Sequence, residues 1–129
     1  MSWLSRIFRE TLSHRQQPEA KFALSFDGLE IALRDPKGIV RSLKMADLDA
    51  IIIETNDTGP WGADVWWVLL DRDGKLGLLY PQGADGEQLV LDRLISLPGF
   101  NMPEFIKAMG STANATFPVW KKPKGPAPV

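Results

Sequence analysis

The chain has 129 residues, enough for one domain with its own core, with 15 Lys and Arg against 16 Asp and Glu, one histidine and no cysteine. The missing cysteine excludes disulfides, thiol catalysis and zinc–thiolate sites, and a formal net charge of −1 singles out no class of partner. The charge is nonetheless divided: residues 1–21 hold four cations and two acids, residues 22–120 eight and fourteen, and residues 121–129 three and none, so an acidic body lies between basic ends.

In residues 2–12, Trp3, Leu4, Ile7 and Phe8 gather with Leu12 on one helical face, with Arg6, Arg9 and Glu10 elsewhere, which predicts a short amphipathic helix. Basic residues beside Trp and Phe suit a membrane surface, but so short a helix is marginal alone, and docking on its own domain is the expected fate. A linker around His14 and Pro18 follows. No apolar stretch approaches the roughly 20 residues of a membrane span, and the N-terminus lacks the apolar core of a secretory signal. A soluble cytoplasmic protein is therefore expected, with peripheral association at the inner membrane face through residues 2–12 as the alternative.

From Lys21 the period changes to two. Phe22, Leu24 and Phe26, then Leu29, Ile31 and Leu33, alternate on either side of Asp27-Gly28, which predicts a hairpin with a type I′ turn. Asp35-Pro36-Lys37-Gly38 predicts a second reversal, and Ile39, Arg41 and Leu43 continue as a strand whose charged Arg41 points to an exposed face or an edge. A single turn at residues 45–47 feeds the strongest signal in the chain, two apolar runs at residues 48–55 and 64–71 that predict the centre of an antiparallel sheet. Trp66 and Trp67 point to opposite sides of such a strand, so both faces need a cover. After a turn at residues 72–75 comes a sixth strand, residues 76–80, ended by Pro81.

Residues 86–97 read as a helix with Leu91, Leu94 and Ile95 on one stripe, broken by Pro98-Gly99. Asn101 and Glu104 have capping-box spacing, Met102, Phe105, Ile106 and Met109 follow at helical intervals, and Gly110 stands where a C-cap belongs. Phe117 to Trp120 form a last short strand or pack against the body, and residues 121–129, rich in Lys and Pro, are expected to be disordered. The fold class is thus α+β: one domain over residues 21–120, an antiparallel meander of about six strands, twisted or partly barrel-like, packed by two helices.

Chemical motifs are sparse. The one histidine, His14, lies in the peripheral linker, and no nucleophile elbow, dinucleotide fingerprint or phosphate loop occurs. Glu54, Asn56, Asp57 and Asp64 are oxygen ligands of the kind hard cations favour, but their spacing departs from an EF-hand loop, so no metal or other cofactor is expected. Between Met45 and Asp71 stand six acids, Asp47, Asp49, Glu54, Asp57, Asp64 and Asp71, and no Lys or Arg. Such a segment either simply solvates the strand ends, the commoner use of exposed acids, or forms a face that disfavours nucleic-acid phosphates and favours a basic, cationic protein partner. Trp61, flanked by Gly and Pro beside these acids, reads either as a recognition residue or as a lid folded onto the sheet.

The motifs I-E-T-N-D-T-G-P at residues 53–60, D-V-W-W at 64–67 and L-P-G-F at 97–100 resemble a group of small bacterial proteins of unassigned function, over roughly residues 45–110. More distantly, strands closed by a C-terminal helix are similar to the pleckstrin-homology arrangement, though the first hairpin lacks that family's basic lipid-binding loop. The function expected from the residues is a non-enzymatic interaction module with a partner site at Glu54, Asp57, Trp61 and Asp64, in its sharper form an immunity-type protein that neutralises a basic toxin. The alternatives are membrane association through Trp3, Leu4, Ile7 and Phe8, and a small enzyme using the acids. Self-association enters if either Trp66 or Trp67 lacks a cover within the chain.

Overall fold

The local turn chemistry builds most of the architecture. The structure, a computed structural model, describes residues 21–56 and 65–123. Strands β1 (Ala23–Phe26), β2 (Glu30–Arg34) and β3 (Val40–Lys44) form one antiparallel sheet in that order, with Phe26 opposite Ile31 and Ile31 opposite Leu43. Strands β4 (Leu48–Thr55), β5 (Val65–Asp71) and β6 (Leu76–Pro81) belong to a second sheet. Helices α1 (Glu87–Ile95) and α2 (Met102–Gly110) follow, and β7 (Ala115–Lys121) returns to pair antiparallel with β4, giving the order β6-β5-β4-β7.

The expected α+β class is what forms, with two differences of architecture. The strands among the described residues are seven rather than about six, and they divide into two sheets that are not closed into a barrel. The division falls at the short 3-10 turn Met45–Asp47, which redirects the chain from β3 into β4 without ladder bonds between them. Gly77 on β6 sits where an added Cβ would lie 3.0 Å from the Leu43 side chain, so the sheets approach closely at β3 and β6 without hydrogen bonding.

Two of the hairpin turns are copies of one device. At Asp35 and again at Asp71 the aspartate carboxylate accepts backbone N–H bonds from the residues two and four positions on, and a glycine with positive φ, Gly38 or Gly74, completes the reversal. The first hairpin differs from the expected type I′ turn. Positive φ is confined to Gly28, and Asp27 instead accepts the N–H groups of Leu29 and Glu30, both at 2.8 Å. Those bonds, from Glu30 first and then Leu29, hold its carboxyl below the ordinary carboxylate value.

Both faces of β5 are covered within the chain. Residues opposite one another share a face, so Ile53, Trp67 and Tyr80 lie on one side of the second sheet and Glu54, Trp66 and Pro81 on the other. Trp66 is fully buried, with Phe22 edge-on to it at 5.8 Å. Trp67 lies beneath Phe105 of α2, ring centroids 5.8 Å apart, and α2 packs on β7 and β4. Burying about 200 Å² per indole is worth roughly 5 kcal/mol each as an upper figure, so the two tryptophans make β5 a major contributor to the core.

The helices sit as expected with corrections at their ends. The buried stripe of α1 centres on Val90 and Leu94, while Leu91 and Ile95 are half-buried. Asn101 caps α2 by accepting the Glu104 N–H at 3.1 Å, but the reciprocal half of the capping box does not form: the Asn101 N–H donates to Val119 O, and Glu104 pairs with Lys107. Gly110 is the last helical residue rather than a left-handed cap; the chain leaves α2 through Ser111 in an extended conformation. Ala108 is the residue of α2 with no exposure, and Met102 and Ile106, expected on the core face, point outward at 40% and 64% exposure. The inward face is instead formed by Phe105, Ala108 and Met109, at helical spacing, which leaves Met102 and Ile106 toward solvent.

The segment expected to be only a short strand or a packed tail is a full edge strand. Pro118 is tolerated there because the outer edge of β7 has no ladder to complete, and it blunts that edge. Lys121 and Lys122, expected in the tail, belong to the folded body: Lys121 pairs with Asp49, and the Lys122 N–H donates to Asp49 O at 2.7 Å. Trp120 donates its indole N–H to Pro98 O at 2.9 Å, tying β7 to the joint between the helices. No helix among the described residues is long and apolar enough to cross a membrane.

Candidate functional site

Of the four residues expected to meet a partner, the structure describes Glu54; Asp57, Trp61 and Asp64 lie in the segment 57–64 outside the described residues, as do Trp3, Leu4, Ile7 and Phe8. Glu54 is the penultimate residue of β4, half-buried, opposite Thr116 of β7, whose hydroxyl lies 3.4 Å from its carboxylate. Burial raises its carboxyl above the ordinary value, and the Thr116 hydroxyl opposes that shift.

The acids of residues 45–71 do not share one place. β4 and β5 are antiparallel, so Asp47, Asp49 and Asp71 stand at one end of the sheet and Glu54 at the other. At the first end the acids are already engaged. Asp47 pairs with Arg72, Asp49 with Lys121, and Asp71 holds its turn. The segment supplies no cation of its own, but the fold brings two from outside it. Among the described residues no group of three or more His, Asp or Glu converges as metal ligands.

The Glu54 end is firmly built. Thr55 is buried and donates its hydroxyl to Ala113 O at 2.7 Å, beside Ser111 Oγ at 3.1 Å, while Asn56 is 9% exposed. On the other strand Val65 accepts the Gln82 N–H at 2.9 Å. The two strand ends from which residues 57–64 depart are therefore tied to the loop after α2 and to the residue after β6.

A second feature drew no attention in the sequence. On the Trp67 face, between the sheet and the two helices, is a cavity of about 110 Å³. Trp67 and Tyr80 line it from the sheet, their rings stacked at 7° with centroids 6.4 Å apart, and Phe105 and Met109 line it from α2. Leu91 of α1 adds apolar surface, and the exposed Gln82 and half-exposed Glu87 mark its opening. Glu87 accepts the Gly83 N–H at 2.8 Å. Burial, and next the charge of Glu87, push the Tyr80 phenol well above its ordinary value, so it stays neutral throughout the accessible pH range. The sequence signal was partial: Trp67 had to lie under something, but which residues of α1 and α2 would surround it depends on how the helices pack.

No protein-family model, no curated protein and no solved structure matches the chain.

Proposed function

We propose that the protein is a non-enzymatic interaction module that meets a cationic protein surface at the end of the second sheet where β4 leaves through Glu54. The observation that carries the reading is the footing of residues 57–64. They depart from buried Thr55 and Asn56 and return at Val65, whose carbonyl is bonded to Gln82, so a recognition segment there starts from a fixed frame. Asp57, Trp61 and Asp64 in that segment, with Glu54 at its base, provide negative charge and one large aromatic, the combination suited to a basic partner with an apolar anchor point. Asp47, Asp49 and Asp71 already have intramolecular roles, which supports the Glu54 end over the opposite end of the sheet for charge recognition. A basic toxin, neutralised in the manner of an immunity protein, is one partner of that chemistry.

The test is charge reversal in the full chain. Asp57→Lys with Asp64→Lys should weaken binding to a purified basic partner, found by crosslinking to the parent protein, at least about tenfold, with melting temperature unchanged. Binding unaffected by the double substitution would remove this end of the sheet as the interface.

A further inference from the structure

We propose that the cavity between the second sheet and the helices binds a methylated ammonium group, with its methyls among the aromatic rings and its charge toward Glu87. This site lies on the Trp67 face, away from Glu54, and does not depend on the interaction proposed above.

Three of its lining residues are the aromatics Trp67, Tyr80 and Phe105, and the faces of such rings carry the negative end of a quadrupole that attracts cations, indole most strongly. Trp67 and Tyr80 are 3% and 2% exposed, so a cation beside them is largely out of water, where this attraction is least screened. Among the described residues Glu87 is the one charged member of the lining, and no Lys or Arg there opposes a positive guest. Its carboxylate is held in place by the Gly83 N–H. The apolar surface of Leu91 and Met109 suits methyl groups better than a bare ammonium, whose hydration would be lost without replacement hydrogen bonds. Size sets the limit. A cavity of about 150 Å³ holds benzene, so about 110 Å³ takes a head group of only four or five heavy atoms, with any longer remainder leaving past Gln82.

The full-length protein can be titrated with tetramethylammonium chloride and, separately, with tert-butanol, a neutral molecule of similar size, at matched ionic strength. The Trp67 indole and Phe105 ring resonances are the readout. The expected result is a saturable shift of those resonances with the cation, at least tenfold tighter than with tert-butanol. Glu87→Gln, whose side-chain oxygen can still accept the Gly83 N–H, should weaken the cation about tenfold and leave tert-butanol unchanged. Phe105→Leu, which removes a ring but keeps apolar volume, should weaken the cation alone, and it carries the test if Glu87→Gln disturbs the fold. Trimethyl-lysine amide then distinguishes the source of the group: tighter binding than tetramethylammonium points to a modified side chain, equal binding to a free small molecule. The proposal is overturned if tert-butanol binds as well as the cation, if neither shifts the rings saturably, or if a folded Glu87→Gln protein binds the cation undiminished.

Discussion

Gly86→Ala tests how the two sheets and α1 are joined. Gly86 precedes α1 with φ +79°, and a Cβ there would lie 2.1 Å from the carbonyl oxygen of Leu24 and 3.2 Å from its carbon. The left-handed backbone alone costs an L-residue roughly 1–2 kcal/mol. The clash adds a second term, because neither side can move freely: the Leu24 N–H donates to Asp85 O at 2.7 Å, and the Asp85 N–H donates to Phe22 O at 3.0 Å. Relieving a 2.1 Å contact means drawing these segments apart and losing both bonds, at about 1 kcal/mol each. The substitution should therefore cost about 3–4 kcal/mol. Gly28→Ala is the control, since Gly28 also has positive φ, at +97°, but an added Cβ would meet nothing within 4 Å. Urea unfolding followed by the fluorescence of buried Trp66 and Trp67, with far-ultraviolet circular dichroism alongside, should place Gly86→Ala about 2 kcal/mol below Gly28→Ala. Equal losses in the two variants would refute the claim that the backbone crossing at Leu24 is rigid.

Glu54 should make stability depend on pH in an identifiable direction. Because burial raises its carboxyl above the ordinary 4.5, the folded chain keeps a proton that the unfolded chain has released, and ionisation costs stability as pH rises through that interval. Glu54→Gln should thus be more stable than the parent near pH 8 by less than about 1 kcal/mol, the group being half-exposed and screened, with the advantage shrinking near pH 4. Denaturation at the two pH values reads it, and a variant less stable at pH 8 would contradict the sign. Ala108→Leu should lower stability by about 1–3 kcal/mol, because the fully buried methyl is where α2 meets the sheet; a thermal melt unchanged by the added bulk would show that the helix stands further off.

The hairpins were legible because their instructions are local. Asp35-Pro36-Lys37-Gly38 and Asp71-Arg72-Asp73-Gly74 carry in four residues both the carboxylate that accepts the turn's N–H groups and the glycine that permits positive φ. Asp27-Gly28 misled on turn type for the same reason turned around: the carboxylate of Asp27 satisfies two N–H groups directly, so only the glycine adopts positive φ. The division into two sheets was not legible, since the strands on either side of Met45–Asp47 look alike in sequence whether or not they bond. β7 was obscured by Pro118, which argues against a strand until its position at a sheet edge is known. For the site, residue type singled out Glu54 and the other acids of residues 45–71, but not which of them share an end of the sheet. It could not foresee that Arg72 and Lys121 would come from beyond the acidic segment to neutralise one end, nor that Glu87, outside that segment altogether, would stand beside three rings.

The place of β7 also sets an order on synthesis. The nascent chain can pair β4 with β5 and β6 as each emerges, but the other edge of β4, with Ile51, Ile52 and Ile53, stays open until both helices have been made and residues 115–121 arrive. During that interval the ribosome-bound chain presents an unpaired, strongly apolar strand edge, the kind that recruits a strand from a neighbouring chain. Arrival of β7 covers that border and replaces it with an edge carrying a proline, which offers a poorer template for a further strand.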